Sequence, residues 1–219
     1  METQDPAPDR VLLIDKPLEW TSFDVVNKLR YKLKIKKIGH AGTLDPLATG
    51  LLIICTGKMT KRIEEFMGLE KEYTGKFVLG QTTPSHDLET EVSPPQDLSG
   101  VTVDRIREAA RPFIGKISQQ PPLHSAIKIG GKRAYKFARK GAEIELKPRE
   151  VEISEFEITG IQLPEVSFRI VCSKGTYIRS IARDFGNALG VGAYLSQLCR
   201  TRIGSYKLED ALSIEDVML

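Results

Sequence analysis

The amino-acid sequence has no long apolar segment, few cysteines and no targeting signal. The longest uninterrupted apolar run in its 219 residues is Leu51–Cys55, whereas a membrane-spanning helix needs about 20 such residues. The first ten residues are polar and lack the apolar centre of a secretory signal. Cys55, Cys172 and Cys199 are too few and too widely spaced for a disulfide framework or a zinc knuckle. These absences predict a cytoplasmic protein that does not associate with a membrane.

Three common catalytic and phosphate-binding patterns are also missing. Gly57-Lys58 is followed by Met59, so the Walker phosphate loop, which has Ser or Thr at that position, is absent. No G-x-G-x-x-G pattern follows a predicted strand, and no H-E-x-x-H pattern occurs. The sequence therefore argues against a P-loop nucleotide hydrolase, a Rossmann dinucleotide site and a zinc protease.

What the chain does have is charge that is separated along the sequence. Its 32 basic and 29 acidic residues leave a net charge of only +3, and groups of acids with few or no basic neighbours occur within 87–104 and 209–216. The basic residues gather in three groups, which are 28–37, Lys128 to Arg149, and the set Lys174, Arg179, Arg183, Arg200, Arg202 and Lys207. Such separation is typical of a surface that binds a polyanion, although each group alone is also typical of an ordinary solvated surface.

Composition and hydrophobic periodicity predict a folded α+β protein. Hydrophobic residues make up 41% and charged residues 28%, ordinary values for a globular chain, and the length allows one large or two small domains. Strand patterns cover Val11–Ile14, Glu72–Gly80, Val151–Ile158, Val166–Cys172 and Ile203–Leu208, and Leu51–Cys55 is predicted to be a fully buried element. Strands outnumber helices without strict alternation, so we predict a mixed, mainly antiparallel sheet with flanking helices.

Helices, loops and a turn complete the predicted secondary structure. One helix is capped by Thr21 or Ser22 and has an apolar face of Phe23, Val26, Leu29 and Leu33. Further helices are predicted over Val103–Arg111, from Ile178 to a C-cap at Gly190, and over Tyr194–Cys199. Loops are predicted over 38–50 and 82–100, a disordered tail over 1–9, and a hairpin turn at Gly130-Gly131.

The loop Gly39–Gly50, which reads GHAGTLDPLATG, carries the strongest chemical signal. Its glycines allow the backbone to approach another molecule closely. Asp45 is the only acidic residue between Asp24 and Glu64, and Pro46 biases it toward an extended conformation. Asp45 is therefore a candidate catalytic carboxylate, and a turn-forming Asx residue is the structural alternative.

This loop resembles the catalytic motif of the TruB family, the tRNA pseudouridine-55 synthases, and the similarity extends over about residues 10 to 216. Four further segments resemble family motifs in the expected order, namely Asp15-Lys16-Pro17 with Thr21–Asp24, Lys71–Gly75, Cys172–Ser180 and Tyr194–Thr201. The resemblance implies the pseudouridine synthase fold and a reaction that isomerises a tRNA uridine to pseudouridine. It also implies that neither a cofactor nor a metal is needed.

By resemblance, Asp45 is the nucleophile, attacking either the uracil ring or the ribose, and Arg179 is its ion-pair partner. Arginine suits such a role because its guanidinium grips a carboxylate with two hydrogen bonds. Tyr73 resembles the tyrosine that stacks on the target base and removes the proton from C5. Judged on local pattern alone, Arg179 is as typical of a phosphate contact, and Tyr73 is more typical of a core aromatic on a strand.

The resemblance also implies a set of residues that bind the substrate. Tyr177 and Leu198 resemble residues that line the uridine pocket, and His40 resembles the histidine that holds the RNA loop open. Lys16 resembles a residue that braces the active-site loop. Without the resemblance, Leu198 is typical of a core residue and His40 of a hydrogen-bonding surface residue.

The implied substrate is the T-arm of tRNA, whose target uridine must be flipped out of the folded loop. A mobile basic insertion near 119–149 resembles the segment that closes over this arm, within a catalytic domain spanning 10–219. We expect a monomer with no obligate protein partner and no membrane partner. We expect two departures from the family pattern, namely a C-terminal PUA-type RNA-binding domain that is either naturally absent or was removed, and Thr90 where a glycine is usual.

Two other functions compete with the synthase. A non-catalytic RNA-binding or RNA-folding module needs the basic surface but not Asp45, Tyr73 and Arg179 together. A nucleoside hydrolase does not need three basic groups and acts on free uridine. The joint presence of the three candidate catalytic residues favours the synthase.

Overall fold

The computed structural model describes residues 9–125, 128–129, 132–133 and 146–218, with the backbone alone at 128–129 and 132–133. The strands in chain order are β1 (Val11–Lys16), β2 (Ile38–Ala41), β3 (Ala48–Thr56), β4 (Lys71–Leu79), β5 (Gly115–Gln119), β6 (Lys128–Ile129), β7 (Lys132–Arg133), β8 (Arg149–Gln162), β9 (Glu165–Cys172), β10 (Ala193–Ile203) and β11 (Tyr206–Lys207). The α-helices are α1 (Ser22–Lys32), α2 (Ile63–Gly68), α3 (Val103–Ala110) and α4 (Ile178–Leu189). Short 3₁₀ helices occupy Gly57–Arg62, Arg111–Phe113 and Leu208–Asp210.

The described residues form two compact units. The first contains the residues up to Thr74 together with those from Leu198 onward, and the second runs from Gly75 to Gln197. Strands β4 and β10 each have residues in both units. The predicted fold class is confirmed, because β1 and β2 each pair antiparallel with β3, β8 pairs antiparallel with β5 and β9, β3 pairs in parallel with β10, and helices accompany these strands.

The first unit is organised around β3, which pairs antiparallel with β1 and β2 and in parallel with β10 at Leu198–Arg200. Alternate residues of a strand point to opposite faces, and both faces of β3 are covered. Leu52 and Ile54 pack in a cluster with residues of α1, while Leu51 and Ile53 pack in another that includes Phe66 of α2. This double burial explains why the segment is apolar without alternation.

Helix α1 begins as its sequence predicts. The Thr21 hydroxyl accepts a hydrogen bond from the Asp24 backbone N–H at 3.0 Å, and the Asp24 carboxylate accepts one from the Thr21 N–H at 2.9 Å. This capping box satisfies two backbone donors that a helix start otherwise leaves unpaired. The predicted apolar face is wrong at Phe23, which is 59% exposed, because Val25 occupies the buried position instead.

The second unit contains β5, β8 and β9 in antiparallel register, with an aromatic core. Phe77 and Phe168 stack with their ring centroids 4.2 Å apart, and Phe156 and Phe185 pack beside them. Phe185 lies on α4, which ends as predicted at Gly190 in the left-handed conformation. The apolar face of α4 therefore anchors the helix whose first turn carries Arg179.

Two predicted segments differ from the structure. Tyr194–Cys199 is not a helix but part of β10, and both Tyr194 and Leu195 are buried. Periodicity cannot separate a helix from a doubly buried strand over so short a segment. The predicted loop 38–50 contains β2 at its start and the first residues of β3 at its end.

Other predictions fall partly outside the described residues. Residues 1–8 of the predicted tail lie outside the described residues. Asp9, the last residue of that tail, forms an ion pair with Lys58 at 3.6 Å. Gly130 and Gly131 also lie outside them, and β6 and β7 on either side pair antiparallel. The single catalytic domain over 10–219 stays a prediction. In the part of the chain that the structure describes, no helix is long and apolar enough to cross a membrane.

Gly50 tests the packing that joins β3 to β10. It has φ +97°, and a Cβ added there would lie 2.4 Å from the Arg200 carbonyl oxygen. We expect Gly50→Ala to lower the free energy of unfolding by at least about 2 kcal/mol, because strain and overlap add. Gly68→Ala is the control, since a Cβ there meets nothing within 4 Å, and it should change stability by less than about 1 kcal/mol. Equal urea midpoints for the two variants would contradict this packing.

Candidate active site

The loop that carries Asp45 joins β2 to β3 and is held by backbone contacts on both sides of the aspartate. The Ser22 hydroxyl accepts a hydrogen bond from the Leu44 N–H at 2.8 Å, and the Glu19 N–H donates to the Pro46 carbonyl at 2.8 Å. The Ala48 N–H donates to the Asp45 carbonyl at 3.0 Å, which closes a turn. Asp45 itself is half-buried. The loop therefore presents its carboxylate from a backbone that is fixed by its neighbours.

Lys16 lies beneath this loop and is fully buried. Its ammonium group donates to the backbone carbonyls of Pro17, Trp20 and Pro46, at 2.8, 2.5 and 3.3 Å. Burial lowers the pKa of Lys16 to about 8, and the Asp45 carboxylate acts in the opposite direction. The ammonium is thus occupied by backbone groups next to the aspartate, which is the position expected of a brace.

A second buried cation in the same unit is one that the sequence placed among surface residues. Arg200 is only 1% exposed, and its Nε and Nη2 donate to the carbonyls of Leu51 and Gly42 at 2.8 and 3.1 Å. Arg179, in the second unit, is 3% exposed. Two arginines of the third basic group are therefore buried, and the alternative that this whole group is an ordinary solvated surface is wrong for them.

His40 lies on β2 rather than in an irregular loop, and it is half-buried. Its Nδ1 atom is buried and has no hydrogen-bond partner among the described residues. Burial lowers the pKa of His40, and the charge of Arg200 lowers it further. Both effects favour the neutral form of the imidazole.

Leu198 and Tyr73 also belong to the first unit. Leu198 is half-buried on β10, opposite Ala48 in the parallel pairing with β3. Thr49 donates its hydroxyl to the Leu198 carbonyl at 3.4 Å. Leu198 thus lies beside the strand end that follows the Asp45 loop. Tyr73 lies on β4 and is 9% exposed, which leaves open both its candidate role and the core alternative.

In the second unit, Arg179 stands in the first turn of α4 and is held by several acceptors. Its Nη2 donates to the His124 carbonyl at 2.9 Å, and its Nη1 lies 3.3 Å from the Ser85 carbonyl and 3.5 Å from a carboxylate oxygen of Asp87. The Asp87 side chain is 8% exposed. Asp87 is a residue to which sequence reasoning gave no role, although the stretch 85–90 resembles a family loop.

Tyr177 directly precedes α4 and is fixed by a side-chain amide. The Tyr177 N–H donates to Gln119 Oε1 at 2.8 Å, and Gln119 Nε2 donates to the Tyr177 carbonyl at 3.1 Å. The guanidinium of Arg149 lies over the Tyr177 ring, 5.6 Å from its centre. Tyr177 is half-buried, and both its backbone N–H and its backbone carbonyl are hydrogen-bonded to Gln119.

The basic group 28–37 forms a surface whose charges point outward. Its apolar residues Leu29, Leu33 and Ile35 are buried, while the lysines are exposed. These lysines are Lys28, Lys32, Lys34, Lys36 and Lys37. In the second basic group, Lys147 is exposed, and most of the other side chains, including Lys136, Arg139 and Lys140, lie outside the described residues.

Comparison with known proteins identifies the class of protein to which this chain belongs. The model of the TruB family pseudouridylate synthase N-terminal domain matches residues 30–178, and that of the tRNA pseudouridylate synthase B C-terminal domain matches residues 179–219. Both describe pseudouridylate synthases. The chain belongs to the TruB family.

Two curated relatives, both called tRNA pseudouridine synthase B, are similar over nearly the whole chain. The protein of Flavobacterium johnsoniae is 54% identical over 98% of this chain and 96% of its own length. The protein of Phocaeicola vulgatus is 57% identical over 94% of this chain and 90% of its own length.

Among solved structures, a Cbf5-Nop10-Gar1 complex contains a similar chain, with a TM-score of 0.74 and 33% identity over 94% of this chain. An H/ACA RNP bound to a substrate RNA containing 2'-deoxyuridine contains another, with a TM-score of 0.71 and 29% identity over 94% of this chain. This chain spans about half the length of those two chains, covering 52% and 51% of them.

The ion pair between Arg179 and Asp87 is testable by stability. Asp87→Asn keeps an oxygen for the Glu89 N–H, which lies 2.9 Å from Oδ1, but removes the negative charge. We expect this variant to lower the free energy of unfolding by about 3 kcal/mol, because a buried guanidinium loses a charge partner. Asp210→Asn, at an exposed aspartate, is the control and should be close to neutral. Equal denaturation midpoints for the two variants would show that the Asp87 charge contributes nothing.

Proposed function

We propose that this protein is a cytoplasmic tRNA pseudouridine synthase that acts as a monomer on the T-loop uridine at position 55. The observation that carries the proposal is identity above 50% to curated synthases over at least 90% of both chains. The Asp45 loop supports it, because its backbone is held in place on both sides of the candidate nucleophile.

The reaction rearranges the substrate without adding or removing atoms. The bond between ribose C1' and uracil N1 breaks, and a bond between C1' and C5 forms. A proton leaves C5, and N1 of the product carries one. Because no oxidation or phosphate transfer takes place, the chemistry requires only a nucleophile, a group that accepts the C5 proton and a pocket that excludes water.

In this reaction we assign the nucleophile to Asp45. A carboxylate with the ordinary reference pKa near 3.9 is ionised at neutral pH and needs no helper base. We assign its ion-pair partner to Arg179. The acceptors that hold this guanidinium within the second unit support the assignment, since they fix its direction before RNA binds.

The remaining candidate residues fit roles in binding the flipped nucleotide. Tyr73 would stack on the uracil and take the C5 proton, while Tyr177 and Leu198 would line the pocket. His40, neutral and with an unpaired buried nitrogen among the described residues, would fill the space that the uridine leaves. Lys16 would brace the Asp45 loop and not touch RNA, since it is fully buried.

The phosphate grip is assigned to the exposed lysines of 28–37 and to the basic insertion near 119–149. Extruding a base costs a few kcal/mol, and contacts to phosphates offset this cost. The exposed position of the lysines, with apolar residues of the same group buried, supports this assignment for 28–37.

Asp45→Asn separates catalysis from binding. We expect it to abolish pseudouridine formation in unmodified tRNA, measured by chemical mapping, because an amide is not a competent nucleophile. Affinity for tRNA should stay within about threefold, since the side chain keeps its size. Asp210→Asn, at an exposed residue, is the matched control and should retain full turnover. Unchanged turnover in Asp45→Asn would overturn the assignment, and a wild-type protein that binds tRNA without modifying it would favour the RNA-binding module.

Salt dependence tests the phosphate grip. Neutralising Z phosphates gives a slope of about −0.7Z to −0.9Z in a plot of log affinity against log salt. We expect Lys36→Ala with Lys37→Ala to make this slope shallower by about 2, because each lysine contributes roughly one phosphate contact. Lys116→Ala is the control, since Lys116 is paired with Glu150 at 3.5 Å, and it should leave the slope unchanged. A flat salt dependence of the wild-type protein would rule out the grip.

A further inference from the structure

Arg200 is a fully buried cation whose side-chain hydrogen bonds within the described residues all go to backbone carbonyls around the Asp45 loop. Its guanidinium donates to Gly42, before the aspartate, and to Leu51, after it. We propose that Arg200 is a positioning residue that holds the two ends of this loop together and so places the Asp45 carboxylate for reaction. This inference rests on the proposed function.

The main chain of Arg200 is fixed on one end of the loop. Arg200 is opposite Gly50 in the parallel pairing of β10 with β3. A Cβ at Gly50 would lie 2.4 Å from the Arg200 carbonyl oxygen and 2.8 Å from its nitrogen, so the two backbones are in direct contact. The side chain then reaches across to Gly42, and a single residue spans the segment on which Asp45 lies.

The arrangement requires the geometry of arginine. Nε and Nη2 point to two carbonyls that belong to different parts of the chain, at 2.8 and 3.1 Å. A planar guanidinium presents these donors in a fixed relation, whereas a lysine ammonium is one compact charge on a flexible stem. Lysine at this position would therefore keep the charge but lose one of the two connections.

The burial of the Arg200 charge is not explained by its contribution to folding stability alone. Its hydrogen bonds go to carbonyls, and in the part of the chain that the structure describes no carboxylate forms a salt bridge with it. Burying a cation is costly unless it is well hydrogen-bonded. Arg200 lowers the pKa of its neighbours Lys16 and His40, so its field reaches the groups around the Asp45 loop. Local features that cost stability are typical of functional sites.

The test compares Arg200→Lys and Arg200→Gln with the same two changes at Arg62. Arg62 is a matched control in the same unit, because it is an exposed arginine whose Nε donates to Glu65 at 2.8 Å. For each protein we would measure thermal unfolding, affinity for unmodified tRNA and the single-turnover rate of pseudouridine formation. Hydrogen exchange of the peptide spanning 42–51 would report on the loop independently of activity.

We expect both Arg200 variants to fold and to bind tRNA within about threefold of the wild type, with single-turnover rates roughly 10- to 100-fold lower, because a small displacement of a reacting group costs rate and not affinity. Exchange within 42–51 should be faster in both, and Arg200→Lys should not rescue the rate, since it restores charge without the second connection. The Arg62 variants should match the wild type in all four measurements.

Several outcomes would overturn the proposal. An Arg200→Lys variant with wild-type rate and exchange would show that two-point attachment is unnecessary. Equal losses of rate and affinity would make Arg200 an RNA-binding element, and failure of both variants to fold would make it a general stability element. If the wild-type protein forms no pseudouridine, the proposed function fails, and unchanged exchange within 42–51 in the Arg200 variants would then separately refute the positioning role.

Discussion

Hydrogen bonds from buried cations to backbone carbonyls are the constraint on which the candidate site depends. Lys16 donates to Pro46, next to Asp45, and Arg200 donates to Gly42 and Leu51 at the ends of the same loop. Charged donors form stronger hydrogen bonds than neutral ones, and a carbonyl, unlike a carboxylate, leaves most of the positive charge uncompensated. The loop is thereby fixed, and Asp45 lies where Lys16 attracts its carboxylate.

The second unit holds Arg179, the candidate partner of Asp45, by similar contacts. Arg179 is bonded to two carbonyls and paired with Asp87, so its guanidinium is oriented by the fold and not by the substrate. Gln119 does the same for the backbone of Tyr177, two residues earlier. Groups held in this way pay their ordering cost during folding, which leaves less to be lost when RNA binds.

Much of the fold followed from the sequence where local signals were strong. A helix start at Thr21 or Ser22, a buried element at Leu51–Cys55 and a helix end at Gly190 were predicted, and the structure has Thr21 as the cap, the buried strand β3 and Gly190 at the end of α4. The prediction was wrong for Tyr194–Cys199 of β10, because the hydrophobic pattern of so short a segment fits a helix and a strand equally well. Tertiary pairing, which is set by distant residues, cannot be read from so short a segment.

The site was less predictable than the fold. The family resemblance pointed to Asp45 and Arg179, but Arg200 and Asp87 carried no signal of burial. A basic residue in a sequence is ordinarily a surface residue, and only three-dimensional contacts show that Arg200 is enclosed. A count of basic residues along the chain therefore combines exposed and buried cations, which only the folded structure distinguishes.

The exposed and the buried basic residues differ in how their charges can act. The exposed lysines of 28–37 keep their ammonium groups in water, where their charge acts at a distance and is screened by salt. The buried Lys16 and Arg200 are shielded from salt, and their side chains donate hydrogen bonds to backbone carbonyls in and around the loop. Long-range attraction of an RNA and accurate placement of one carboxylate make opposite demands on solvent exposure, so one group of cations cannot meet both.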